Sequence, residues 1–174
     1  MTDVHTRLAR WRVPLGFLCG AGVLWFAKPT SRSLAIGGAI AVAGELVRIW
    51  AAGHLEKGRE VTRSGPYRLT RHPLYLGSTI VGAGAAIAAA RWSVAALIAI
   101  YLVSTILAAI RTEEAGMRRS FGDQYDAYIE SRAKPVDRPF SLTRAIHNKE
   151  YRALAGLALV AAILAVKAAF GDLG

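Results

Sequence analysis

The sequence contains few residues of the kinds that hold metals or form cross-links. Cys19 is the only cysteine among 174 residues, so the chain cannot form an internal disulfide or a zinc site built from cysteines. The four histidines lack the spacing of metal ligands, and we expect no bound metal. Acidic residues are also scarce, since 12 Asp and Glu stand against 22 Lys and Arg and leave a formal net charge of +10.

This positive charge is distributed in a way that favours a membrane protein over a nucleic-acid binder. Hydrophobic residues make up 53% of the chain, and the basic residues lie between long apolar runs. A nucleic-acid-binding domain would instead carry its basic residues on a soluble fold. We therefore expect membrane lipids as partners and no nucleic acid.

Five apolar runs predict an all-α integral membrane bundle. A helix of about 20 residues crosses a bilayer, and the first run, 13–27, is short for this but could extend back over Trp11. The prediction is a single membrane domain, residues 1–174, in which two polar segments, 54–73 and 111–150, form a site. The predicted transmembrane helices are 13–28, 33–53, 74–90, 92–110 and 151–170.

The basic residues also predict the orientation of these spans. Seventeen of the 22 Lys and Arg fall in residues 1–12, 54–73 and 111–152, whereas the opposite loops hold only Lys28, Arg32 and Arg91. Cytoplasmic loops carry the excess of Lys and Arg. We therefore expect a multi-pass protein of the plasma or inner membrane, with its N-terminus and active site in the cytoplasm.

The second predicted span carries two charges, Glu45 and Arg48, on one helical face. Charges within a span are costly and usually face a partner or a cavity. Two interpretations follow. The charges could form a mutual ion pair near the membrane surface, or they could form a polar floor beneath a substrate pocket.

The stretch 64–77, S-G-P-Y-R-L-T-R-H-P-L-Y-L-G, carries the densest set of polar residues next to a span. Pro73 predicts a helix start, with His72 extended just before it and Tyr75 in the first turn. Free N–H groups at the helix mouth, together with the Arg71 guanidinium, would attract a carboxylate or phosphate. The alternative is a positively charged cap at the membrane surface.

A second polar segment follows the fourth span. Glu113 and Glu114 come directly after it, and Tyr125 and Tyr128 then recur at the spacing of an amphipathic helix. Because a tight turn joins the third and fourth spans, we expect their polar ends to be neighbours. The two segments would suit a zwitterionic ligand, with its carboxylate on Arg71 and its cation on the glutamates and aromatic faces.

Together these motifs resemble the isoprenylcysteine carboxyl methyltransferase family, which is related to the membrane phospholipid methyltransferases. The resemblance rests on G-P-Y-R-x-x-R-H-P-x-Y-x-G followed by E-E and F-G-x-x-Y-x-x-Y, and runs from about Leu55 to Phe140. It implies an integral membrane enzyme that uses S-adenosyl-L-methionine. The cofactor-binding residues that it implies are Tyr67, Arg71, His72, Pro73, Tyr75, Gly77, Glu113, Glu114, Tyr125 and Tyr128.

The resemblance implies methyl transfer, and the acceptor of the methyl group determines which catalytic residues are needed. We expect a lipophilic acceptor from the bilayer: a small molecule, a lipid or a prenylated molecule. A carboxylate acceptor, which we favour, needs a cationic anchor such as Arg48, Arg71 or Arg111. A lipid amine would instead need a base, and the candidates are Glu113, Glu114 and His72. The fifth apolar run could complete the bundle or mediate a homodimer.

Two alternatives remain open from the sequence. Membrane sterol reductases carry a similar R-x-P-x-Y segment and use NADPH, whose 2′-phosphate would suit Arg68 and Arg71. A non-catalytic protein could simply bind anionic lipid or a partner through its basic face. In that case Glu113 and Glu114 would only form ion pairs with Arg118 and Arg119.

Overall fold

The computed structural model describes residues 2–171, which form seven α-helices and no β-strand within that range. Side chains are described from Trp11 onward except those of residues 12 and 13, so the three arginines before the first predicted span lie outside the described side chains. A short 3₁₀ helix, Gly65–Arg68, lies between α2 and α3. The helices are α1 Thr2–Phe26, α2 Ser31–Ala52, α3 Pro73–Ala88, α4 Trp92–Phe121, α5 Asp123–Ile129, α6 Leu142–His147 and α7 Tyr151–Gly171.

Each of the five apolar runs is helical. Three helical segments are long and apolar enough to cross a membrane: Ser31–Ala52, Trp92–Phe121 and Tyr151–Phe170. Two shorter apolar segments, Pro14–Phe26 and Pro73–Ala88, accompany them. Large apolar side chains face outward, and this surface suits lipid better than water. The prediction of an all-α membrane fold is therefore confirmed.

Helices α2 and α3 pack backbone to backbone. A Cβ atom on Gly44 would lie 2.6 Å from the Val81 nitrogen, and one on Gly84 would lie 2.6 Å from the Ala41 nitrogen. Small residues permit such close approach between helices in a membrane, where apolar burial gives little driving force. This contact fixes the start of α3, and hence the residues before it, relative to the end of α2.

The short connections α1–α2 and α3–α4 meet at one end of the bundle. The Lys28 N–H donates to the Ala89 carbonyl at 2.9 Å, and the Ser33 hydroxyl donates to the Ala88 carbonyl at 3.1 Å. Arg91 donates to the Phe26 carbonyl at 3.1 Å. The longer connections, 53–72 and 130–150, therefore belong to the opposite end, in agreement with the two-sided distribution of charge.

Several helix boundaries differ from the predicted ones. The fourth predicted span ends at residue 110, but α4 continues to Phe121 because the Glu, Ala, Met and Arg residues that follow are good helix formers. The helix ends where Gly122 adopts a φ of +43°. Likewise α1 begins at Thr2 rather than at residue 13. The Glu113–Glu114 pair thus lies on the same continuous helix as the fourth apolar run.

The fifth apolar run, α7, completes the bundle. It packs against α2 and α1. The Lys167 Nζ donates to the Leu24 and Trp25 carbonyls, at 2.9 and 2.8 Å. These carbonyls belong to the last turn of α1, where a cation also interacts favourably with the helix dipole. Most of α7 stays exposed, and the homodimer remains a prediction.

Candidate active site

The two polar segments meet at one point, between His72 before α3 and Glu114 on α4. The His72 Nε2 and Glu114 Oε1 atoms lie 3.0 Å apart, and both side chains are half-buried. The Tyr75 ring lies 5.8 Å from the His72 ring, centroid to centroid. The prediction that these helix ends are neighbours is confirmed.

The start of α3 agrees with the prediction in sequence position but not in backbone detail. Pro73 is the first helical residue, as its fixed φ favours. His72 has φ −130° and ψ 58°, so it is not extended. Its carbonyl is turned to accept the N–H groups of Tyr75 and Leu76, at 3.1 and 3.0 Å. Because Pro73 has no N–H, the helix mouth offers a ligand fewer free N–H groups than we predicted.

Helix α5 folds its tyrosines onto the 3₁₀ helix. The Tyr128 hydroxyl donates to the Tyr67 carbonyl at 2.8 Å, and the Tyr125 and Tyr128 rings lie 6.3 Å apart. Tyr125 and Tyr67 are both buried. The turn at Gly122 thus packs the F-G-x-x-Y-x-x-Y motif of α5 against the G-P-Y-R motif of the 3₁₀ helix.

The electrostatic environment of these tyrosines connects them to the charged residues. Burial raises the pKa of Tyr67 well above its ordinary value, and the Glu113 carboxylate raises it further. Burial and then Glu114 raise the pKa of Tyr125 to about 12. For Tyr128, burial raises the pKa while Arg71 partly lowers it. The three phenols are therefore neutral at physiological pH and lie within the field of the Glu113 and Glu114 carboxylates and the Arg71 and Arg118 guanidinium groups, among other charges.

Arg48 forms a separate polar network beneath this cluster. Its Nε lies 3.4 Å from Glu45 Oε2 and its Nη2 lies 2.7 Å from Glu150 Oε1, and Nη1 also donates to Ser78. The ion-pair interpretation of Glu45 and Arg48 is confirmed. Because this guanidinium is shared between two carboxylates and a hydroxyl, the structure gives no support to its role as an acceptor anchor.

Gly77 belongs to the same helix contact. A Cβ atom there would lie 2.6 Å from the Arg48 Cγ and 2.8 Å from the Gly44 carbonyl oxygen. The absence of a side chain at Gly77 thus lets α2 approach α3. The space beside Gly77 is filled by α2 and is not open to a cofactor. Arg71 and Arg111, the other two predicted anchors, are exposed at the same end of the bundle.

Sequence reasoning missed Glu150, the residue just before α7. Its side chain is buried and forms an ion pair with Arg48. The available signal was an acid next to the start of an apolar run. Its partner lies about a hundred residues earlier, and local spacing gives no information about such a pair.

The segment before α6 is tied to the segment after α2 by a second set of ion pairs. Arg138 binds Glu60 with two parallel hydrogen bonds of 2.7 and 2.9 Å. Arg68 donates to the Val136 carbonyl at 2.7 Å and to Asp137 at 3.2 Å. These contacts hold the 3₁₀ helix, and with it Tyr67, in place.

The donor set of the cluster fits a zwitterion that carries a sulfonium. Neutral aromatic rings and carboxylates surround a cation favourably, and a guanidinium binds a carboxylate. In such a complex Tyr75, Glu113 and Glu114 would lie toward the cation, with the buried Tyr125 behind them, and Arg71 would lie toward the carboxylate. Among the side chains that the structure describes, no three from His, Cys, Asp or Glu are grouped as metal ligands.

Residues 12–124 match the model of the phospholipid methyltransferase family. The chain belongs to this family. The family includes the methyltransferases similar to isoprenylcysteine carboxyl methyltransferase, so the resemblance drawn from the motifs is confirmed. No curated protein and no solved structure matches the chain. As a member of the phospholipid methyltransferase family, the chain is a membrane methyltransferase, and the matched range contains both halves of the His72–Glu114 contact.

Proposed function

We propose that the chain transfers a methyl group from S-adenosyl-L-methionine to an acceptor that enters from the bilayer. The observation that carries this proposal is the His72–Glu114 contact of 3.0 Å, which joins the two motifs into one site. The family supplies the reaction class. The excess of basic residues at this end of the bundle supports a cytoplasmic site, where the cofactor is available.

The proposed cofactor-binding residues divide by charge. Arg71 binds the carboxylate of the cofactor, and Glu113 and Glu114 lie toward its cationic part. Tyr75 and Tyr128 present neutral aromatic surface, and the buried Tyr125 ring packs against Tyr128. When bound, the cofactor supplies an electrophilic methyl group on a sulfonium, whose thioether leaves without needing a proton.

The protein contributes mainly positioning and exclusion of water to such a displacement. Tyr125 is only 3% exposed, and Tyr67 is only 8% exposed. These buried rings exclude water on the side of α5. The exposed apolar surface of α3 and α4 leaves a lateral path for a lipophilic acceptor.

A carboxylate is our first candidate for the acceptor group. It needs no base, but it does need a cation near the transferred methyl group. With Arg48 bound by Glu45 and Glu150, that role falls to Arg71 or Arg111.

A lipid amine is the second candidate, because the family description names phospholipid and because Glu113 is exposed beside the site. An amine must lose a proton, and the Glu113 carboxylate is the proposed acceptor of that proton. His72 is already hydrogen-bonded to Glu114 and is proposed to orient that carboxylate.

The ligand class can be tested by thermal unfolding in detergent with S-adenosylmethionine, S-adenosylhomocysteine and NADPH, each titrated separately. A ligand that binds only the folded protein raises the midpoint by mass action. We expect a rise with both adenosyl compounds that is lost in His72→Ala. A rise with NADPH alone would favour the reductase interpretation, and no rise with any ligand would favour a non-catalytic protein.

The acceptor class needs a second experiment. Membranes that contain the protein are given radiolabelled cofactor and either a prenylated thioether carboxylate or a phosphatidylethanolamine. Base-labile label in the first lipid indicates a methyl ester, whereas base-stable label in the second indicates an N-methylated amine. Glu113→Gln should abolish the second reaction and only weaken the first, through weaker cofactor binding, whereas Arg71→Gln should weaken both to a similar degree.

A further inference from the structure

A basic groove lies where the chain leaves α2 and enters α7, apart from the proposed methyl-transfer site. Its volume is about 320 Å³. None of its lining residues belongs to the His72–Glu114 cluster. Its five basic lining residues are Lys57, Arg59, Arg144, His147 and Lys149.

The walls of the groove are held by hydrogen bonds to the end of α2. The Asn148 side chain donates to the Ala52 and Leu55 carbonyls, both at 2.9 Å. Arg144 donates to the Gly53 carbonyl at 2.5 Å and binds Glu56 Oε1 at 2.7 Å. The Ala52 and Gly53 carbonyls lie at the end of α2, where backbone acceptors lack partners within the helix, so these bonds fix α6 against α2.

Positive charge exceeds negative charge in the groove. Glu56 is the one acid among the described residues that line it, and Arg144 already binds this carboxylate. Lys57, Arg59 and Lys149 are exposed. Lys149 also has a φ of +63°, a left-handed conformation that Gly or Asn adopts at lower cost than lysine.

Exposed apolar side chains lie on α6, the helix that also carries Arg144 and His147 of the groove, and at the start of α7. Leu142 and Ile146 lie four residues apart on one face of α6 and are 62% and 54% exposed. Tyr151, the first residue of α7, is 51% exposed. Aromatic and apolar residues at the end of a span lie at the boundary between head groups and acyl chains. The groove therefore opens at the level of the lipid head groups.

We propose that the basic groove binds the phosphate head group of an anionic phospholipid, with the lipid chains against Leu142 and Ile146. The charge of the groove selects an anion, and the adjoining apolar face selects a lipid over a soluble phosphate. The bound lipid is an accessory ligand and not the methyl acceptor. This inference does not depend on the identity of the cofactor.

The test compares two triple variants of the full chain in detergent. Lys57→Gln, Arg59→Gln and Lys149→Asn remove three charges from the groove. The matched control, Arg119→Gln, Arg132→Gln and Lys134→Gln, removes three exposed charges from the same side of the bundle. Native mass spectrometry then measures binding of phosphatidylglycerol and phosphatidylcholine, and thermal unfolding without lipid confirms that both variants fold.

Each removed cation should lower the affinity for phosphatidylglycerol by about fivefold, so the groove variant should bind it on the order of a hundredfold more weakly than wild type. The affinity of the control variant should stay within about twofold of wild type. Equal losses in both variants would overturn the proposal in favour of general surface charge. Equal binding of phosphatidylcholine and phosphatidylglycerol would overturn it in favour of apolar adhesion. If inorganic phosphate displaced phosphatidylglycerol at equal concentration, a soluble anion would be the ligand instead.

Discussion

Arg48 is the residue whose role changes most between sequence and structure. Its guanidinium joins Glu45 on α2, Glu150 before α7 and Ser78 on α3. Removing one partner of a buried charge group is strongly destabilising because the others lose their compensation.

We therefore expect Arg48→Gln to lower the free energy of unfolding by about 3–5 kcal/mol. Thermal unfolding in detergent measures this loss. The double variant Arg48→Gln, Glu150→Gln should recover part of it, because it leaves one fewer unpaired carboxylate. A fully stable Arg48→Gln protein without methyl transfer would contradict this account and restore Arg48 as an anchor.

His54 is a second residue whose environment makes a prediction. It is buried after α2, with its Nδ1 atom 3.2 Å from the Ser64 hydroxyl. Burial, followed by the charges of Arg144, Arg138 and Arg68, lowers its pKa below 6.5. Below that pH the unfolded chain binds more protons than the folded chain, so stability is lost as the pH falls.

The thermal midpoint should accordingly drop between about pH 7 and pH 5, the range in which histidine changes charge. Asparagine at this position, His54→Asn, keeps a hydrogen-bonding group for Ser64 but does not titrate. Its midpoint should be lower at pH 7 and less dependent on pH. Parallel pH profiles for the two proteins would show that His54 is not the responsible group.

At the level of the elements, the α2–α3 contact positions the site. A methyl group on Gly44 would lie 2.6 Å from the Val81 nitrogen, whereas one on Gly38 meets nothing within 4 Å. Gly44→Ala should therefore lower stability by about 1–3 kcal/mol through overpacking. Gly38→Ala should be neutral or stabilising by up to about 1 kcal/mol, since alanine favours a helix. Equal effects on the unfolding midpoint would mean that the two helices do not pack in this way.

The sequence predicted the element types well and their ends less well. Apolar runs and Pro73 were enough to place the helices, because both act locally. The predicted fourth span stops at residue 110 because the polarity of Glu113 and Glu114 marks the edge of a membrane, whereas α4 itself continues to Phe121. The contact of Arg48 with Glu150 was missed because it depends on how the start of α7 packs against α2.

At the scale of the whole molecule, the short connections lie at one end of the helical bundle and the longer ones at the other. We predict that the end with the His72–Glu114 contact is cytoplasmic. Cys19 is the sole cysteine and is buried, so Cys19→Ser gives a background for labelling. In that background, Lys28→Cys should react with a membrane-impermeant maleimide on intact cells. Lys134→Cys should react only after permeabilisation. The reverse pattern would contradict the proposed orientation.

The most direct test of the account is calorimetric binding of S-adenosylmethionine, which carries the sulfonium cation proposed to lie toward Glu114, to the protein in detergent. Wild type is compared with Glu114→Gln and with the control Glu130→Gln, an exposed acid that is ion-paired with Arg132. Loss of a charge-assisted interaction costs about 1.5–3 kcal/mol, so Glu114→Gln should bind roughly 10- to 100-fold more weakly, with the control unchanged. Binding by Glu114→Gln that equals wild type, or no binding by wild type, would contradict a cofactor site built where the two motifs meet.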